Sequence, residues 1–102
     1  MNKTVLVTGA TSGFGKAIAQ LFAKNQYNVI ITGRRKERLA DLKNELESAY
    51  KVEVLALCFD VRNNSQVQDF LSHLSEPFNH IDILVNNAGL ASGLDHLQDG
   101  DI

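Results

Sequence analysis

Short apolar runs alternate along this chain with segments whose apolar positions recur at helical spacing. Thr4-Val5-Leu6-Val7 is the first run, closed by Thr8-Gly9. Phe14, Ala17, Ile18, Leu21 and Phe22 then recur at i, i+3, i+4, i+7 and i+8, which predicts one apolar face of a helix. Val29-Ile30-Ile31 is a second β-branched run, closed by Thr32-Gly33, and Leu39, Leu42 and Leu46 mark the stripe of a second, highly charged helix. Val52 to Cys58 reads as a third strand. Asn63, Asn64 or Ser65 is placed to cap a third helix with Val67, Phe70, Leu71 and Leu74 on its inner face. Pro77 falls in the loop after it, and Ile81 to Val85 reads as a fourth strand.

The order is therefore βαβαβαβ. Continuously apolar strands separated by amphipathic helices predict an α/β fold with a parallel sheet covered on both faces. Right-handed crossovers make a doubly wound arrangement the expected topology. From Leu90 to Ile102 the rhythm stops, and three aspartates and two glycines read as a loop. The fourth strand then has no neighbour on its outer side, and soluble proteins avoid such an open edge. Residues 1–102 are expected to be the N-terminal part of a single domain from a longer chain; the alternative is a dimer that covers the edge.

Composition narrows the class. Hydrophobic residues make up 44% and charged residues 22% of 102, an ordinary globular mix. A net charge of −2 gives no electrostatic reason to expect nucleic acid or an anionic membrane surface. No apolar stretch approaches the roughly 20 residues of a membrane span. Cys58 is the one cysteine, which excludes an internal disulfide and fits a reducing compartment; its apolar surroundings predict a buried thiol. A cytoplasmic location is the expectation. His73, His80 and His96 have no ligand-like spacing, so no metal site is expected.

The segment Thr8-Gly9-Ala10-Thr11-Ser12-Gly13-Phe14-Gly15 joins the first strand to the first helix. Gly9 permits a sharp turn, Gly13 lets a pyrophosphate approach the main chain, and Gly15 lets the helix pack closely on the sheet. Free amides of the first helical turn and its positive dipole end then face the phosphates. Thr11 and Ser12 add hydroxyls there. The spacing is G-x-x-x-G-x-G; its place after the first strand of a βαβ unit is what makes it a nucleotide turn.

The second strand would carry an acid at its end to hold the ribose hydroxyls of NAD. Here Thr32-Gly33-Arg34-Arg35 stands instead. Guanidinium groups bind a 2′-phosphate by paired, charge-assisted hydrogen bonds. One such bond is worth about 2 kcal/mol, roughly 30-fold in affinity, so NADP is the expected cofactor. Asp60 and Val61 follow the third strand at the same carboxyl edge, where they are expected to meet the adenine. Asn86-Asn87 follows the fourth; its buried amides must be paired, to brace the sheet, touch the nucleotide ribose, or both. Tyr27 and Tyr50 are expected in loops at the opposite edge. Neither has a lysine four residues downstream, so no catalytic residue is assigned.

These residues resemble the short-chain dehydrogenase/reductase family. Thr8 to Gly15 looks like its T-G-x-x-x-G-x-G motif, Asp60-Val61 like its adenine-contacting pair, and Asn86-Asn87-Ala88-Gly89 like its N-N-A-G motif, in which the second asparagine lies beside the cofactor. The likeness covers nearly the whole chain. Thr32-Gly33-Arg34-Arg35, Glu37-Arg38-Leu39, Asp60-Val61-Arg62-Asn63, Asn86 to Ala91 and Phe14 look more narrowly like the NADP-dependent 3-hydroxy acid dehydrogenases. The resemblance implies a Rossmann-type sheet, and hydride transfer between NADP(H) and a carbonyl or secondary alcohol of a small-molecule substrate. It implies cofactor contacts at Gly9, Ala10, Thr11, Ser12, Gly13, Phe14, Gly15, Arg34, Arg35, Asp60, Val61 and Asn87. A homotetramer is implied for the full-length protein. The family's serine, tyrosine, lysine and helical asparagine have no match here, so residues 1–102 alone are expected to be inactive. A non-catalytic NADP-binding module or redox sensor is the alternative reading, and S-adenosylmethionine is a third candidate ligand for the turn.

Overall fold

The computed structural model describes residues 2–58 and 64–87. Among them the elements run β1 (Thr4–Val7), α1 (Gly13–Lys24), β2 (Asn28–Gly33), α2 (Lys36–Tyr50), β3 (Val54–Cys58), α3 (Asn64–Ser72) and β4 (Ile83–Val85). The strands form a parallel sheet in the order β3-β2-β1-β4, so the connection from β3 to β4 crosses over two strands. The reversal of strand order beside β1 is the switch point at which doubly wound sheets open a crevice for ligands.

One face of the sheet is built from alternate strand positions. Val5 and Val7, Val29 and Ile31, and Val54 pack there with Ala19 and Ala23 of α1 and with Leu39, Leu42 and Leu46 of α2. The α2 stripe is therefore the one its leucine spacing predicts. The α1 stripe is not. Gly15, Ala19 and Ala23 are buried, whereas Ala17 is exposed and Phe14 and Leu21 are 80% and 59% exposed. Small residues at i, i+4 and i+8 form the contact line and let the helix lie close to the strands. The larger side chains are displaced to its flanks, and only Ile18 and Phe22 of the predicted set pack against the core.

The other face carries Leu84, Leu6, Ile30 and Leu55 in one row across the four strands. Burial in that row falls away toward β4: Ile30 is 0%, Leu6 5% and Leu84 62% exposed.

Several boundaries differ from those the apolar runs suggest. β3 begins at Val54 and β4 at Ile83, because Val52 and Ile81 precede the paired register. α3 stops at Ser72, which leaves Leu74 outside it. Tyr50 is the last residue of α2, not a loop residue; the helix ends on Lys51 in the left-handed region at φ 56°. Cys58 is exposed, contrary to the buried thiol expected. It closes the edge strand, and its register partner is Gly33, which has no side chain to cover it. The expected loop from Leu90 to Ile102 and His96 lie outside the described residues.

Candidate functional site

The carboxyl ends of β1 and β2 carry the site. The Thr8 amide donates to the Val85 carbonyl at 3.0 Å and the Ala10 amide to the Thr32 carbonyl at 2.9 Å, so the turn is pinned to both neighbouring strands. Gly9 sits at φ 61°, a conformation an L side chain rarely adopts. The chain then folds back, the Ser12 amide donating to the Gly9 carbonyl at 3.2 Å. Ser12 caps α1: its hydroxyl accepts from the Gly15 amide at 3.1 Å. By helix geometry the amides of Gly13 and Phe14 have no carbonyl one turn behind them. A Cβ on Gly13 would meet nothing within 4 Å. The turn thus presents free amides at an uncrowded helix N-terminus, the arrangement that receives an anion.

Across from it, a Cβ on Gly33 would lie 3.2 Å from Thr11 Cγ2 and 3.3 Å from Thr11 Oγ1. The bare backbone of Gly33 therefore makes room for Thr11, and the turn abuts the point where Arg34 and Arg35 leave β2. Both arginines are exposed, and neither has an ion-pair partner among the described residues. Arg35 is the N-cap of α2 and makes no side-chain cap bond, so a second helix start lies open beside two cationic groups.

Asn87, from the end of β4, reaches into this turn. Its Nδ2 donates to the Gly9 carbonyl at 3.0 Å and to Ser12 Oγ at 2.9 Å, and the residue is only 3% exposed. Of the two roles open to it from sequence, bracing is the one visible here. Asn86 takes part in the same region through the Thr8 hydroxyl, which donates to its Oδ1 at 3.1 Å. The structure thus brings Gly9 to Gly15, Arg34, Arg35 and Asn87 to one sheet edge. Asp60 and Val61 lie outside the described residues. Nothing in the sequence marks Thr32 as a site residue; its Oγ1 is buried without a partner among the described residues, one position before Gly33.

Among the described residues the histidines build no relay at this edge. Ser72 Oγ and the Asp69 carbonyl both meet His73 at Nδ1, at 3.1 and 2.7 Å, so the imidazole bridges nothing. Among the described residues no group of three or more His, Cys, Asp or Glu could hold a metal ion, and no helix is long and apolar enough to cross a membrane.

The sequence model of the short chain dehydrogenase family matches residues 3–101. The chain belongs to that family. It is 50% identical over 91 residues to the NADP-dependent 3-hydroxy acid dehydrogenase YdfG of Salmonella typhi, covering 89% of this chain and 35% of that protein. It is 46% identical over all 102 residues to sulfoacetaldehyde reductase 2 of Chromohalobacter salexigens, covering 40% of it. Among solved structures, L-sorbose reductase from Gluconobacter frateurii, complexed with NADPH and L-sorbose, superposes with a TM-score of 0.79 at 35% identity, over 86% of this chain and 34% of that one. The likeness to the 3-hydroxy acid branch and the Rossmann-type fold expected from sequence are both borne out. The chain spans little more than a third of the length of these relatives.

Proposed function

We propose that residues 1–102 form the NADP-binding portion of a dehydrogenase that interconverts a carbonyl and a secondary alcohol, with a 3-hydroxy acid as the substrate class. The observation that carries the reading is the pairing of two open helix starts at one edge. The Gly9–Gly15 turn fits a pyrophosphate at α1, and Arg34 and Arg35 fit a 2′-phosphate at the uncapped start of α2. Asp60 and Val61 are assigned to the adenine and Asn87 to the cofactor edge. Bound there, the nicotinamide supplies hydride transfer at its C4. These residues bind and orient it, while the tyrosine and lysine that the family resemblance implies for proton transfer have no match among residues 1–102.

The 3-hydroxy acid class rests on the YdfG likeness, and the sulfoacetaldehyde reductase shows that similar identity accompanies a different substrate. The small-molecule chemistry, the homotetramer and the cytoplasmic location follow the family reading. Isothermal titration with NADP, NAD and S-adenosylmethionine tests the cofactor. NADP is expected to bind at least 10-fold more tightly than NAD, and Arg34→Asp to remove that preference. Equal NADP affinity in the variant, or preference for S-adenosylmethionine, would overturn the assignment.

A further inference from the structure

We infer that Ser12 is a positioning residue, locked by Asn87, and that its hydroxyl is not a phosphate ligand. The inference rests on the nucleotide-binding reading and sharpens it. A serine hydroxyl offers one proton and two lone pairs. Around Ser12 Oγ the Gly15 amide donates at 3.1 Å, Asn87 Nδ2 donates at 2.9 Å, and the Gly9 carbonyl accepts at 3.0 Å. Together with Cβ, these three partners take all four tetrahedral directions of the oxygen. A phosphate oxygen could reach the Ser12 proton only by displacing one of them.

Asn87 is equally committed. An amide nitrogen has two protons, and those of Asn87 go to Gly9 O and Ser12 Oγ. Gly9 O in turn receives the Ser12 amide, the Ser12 hydroxyl and the Asn87 amide. The network is closed on itself, with no donor left to face outward. Thr11 differs: its hydroxyl has no hydrogen-bond partner among the described residues, and it stays available to a ligand. Closed networks of this kind fix geometry more than they add affinity. The order of the phosphate turn therefore depends on β4 being docked, since Asn87 stands 75 residues from Ser12.

A double-mutant cycle on the chain tests this, using Ser12→Ala, Asn87→Ala and the double variant, with Ser12→Thr as the conservative control. Urea melts without nucleotide come first, then titration with NADP. Each single change is expected to weaken NADP binding by roughly 5-fold, the double to be within about 2-fold of the worse single, and Ser12→Thr to retain most of the affinity. Losses that multiply in the double variant would mean that Ser12 acts on the ligand directly and would overturn the inference. Additive melts without nucleotide would overturn the network itself. Failure of the unaltered chain to bind NADP would remove the proposed function, while the nucleotide-free melts would still decide whether Ser12 and Asn87 act together.

Discussion

Gly15 lies so close to Gly9 that a Cβ on the first would overlap the carbonyl oxygen of the second. The same Cβ would come within 2.8 Å of Ala10 Cα and of Asn87 Nδ2. Two of these three neighbours are backbone, which cannot swing aside as a flexible side chain would. Gly15→Ala is therefore expected to cost about 3 kcal/mol, the upper end for overpacking, and to distort the turn. Gly13→Ala meets open space and is expected to leave stability unchanged or up to about 1 kcal/mol higher. Its methyl group would stand where the phosphate approaches, so NADP affinity should still fall. Urea melts and NADP titration of the two variants check the contrast; equal stability losses would refute it.

At the opposite edge of the sheet, Asp82 and Thr4 hold β4 against β1. The Thr4 amide donates to Asp82 Oδ2 at 2.9 Å, and the Asp82 amide donates to the Thr4 carbonyl at 2.9 Å. Thr4 is 1% exposed, so loss of the Asp82 acceptor leaves a buried amide without its partner. Asp82→Ala is expected to destabilise by about 1–2 kcal/mol, and Asp82→Asn, which keeps an acceptor oxygen, by less than half of that. Chemical denaturation of both variants measures the difference. Identical midpoints for Ala and Asn would show that the bond contributes nothing.

These two relationships show which parts of the molecule are legible from sequence. Local periodicity placed β1, α2 and the phosphate turn, because each is decided by neighbours a few residues away. Leu39, Leu42 and Leu46 are buried as their spacing requires. The α1 face is not legible from apolar spacing, because apolar character does not mark the contact line there. Contact is instead made by Gly15, Ala19 and Ala23, whose small size admits the sheet. Asn87 and Asp82 act across 75 to 78 residues of sequence, so their partners emerge only once β4 lies beside β1. The exposure of Cys58 escapes the sequence for a related reason: burial in a strand depends on the neighbouring strand, and its neighbour there is a glycine.

Among the described residues three large hydrophobic side chains are exposed: Phe14, Leu21 and Leu84. Leu84 is on β4 itself. Phe14 and Leu21 lie on the flank of α1 opposite Lys16 and Gln20, both of which face Glu45 of α2. α1 and α2 pack on the sheet face opposite to the one that carries Leu84. Apolar side chains are thus exposed on both sides of the sheet, and among the described residues β4 pairs with β1 alone; exposed apolar surface beside such an edge drives association. The sedimentation of a polypeptide of these 102 residues is expected to depend on concentration, and Leu21→Lys with Leu84→Lys should shift it toward the 11.2 kDa monomer. Neither residue belongs to the phosphate turn, so the double variant should keep its affinity for NADP. A monomer at every concentration, with one sharp melt, would show that the surface is tolerated in water as it stands.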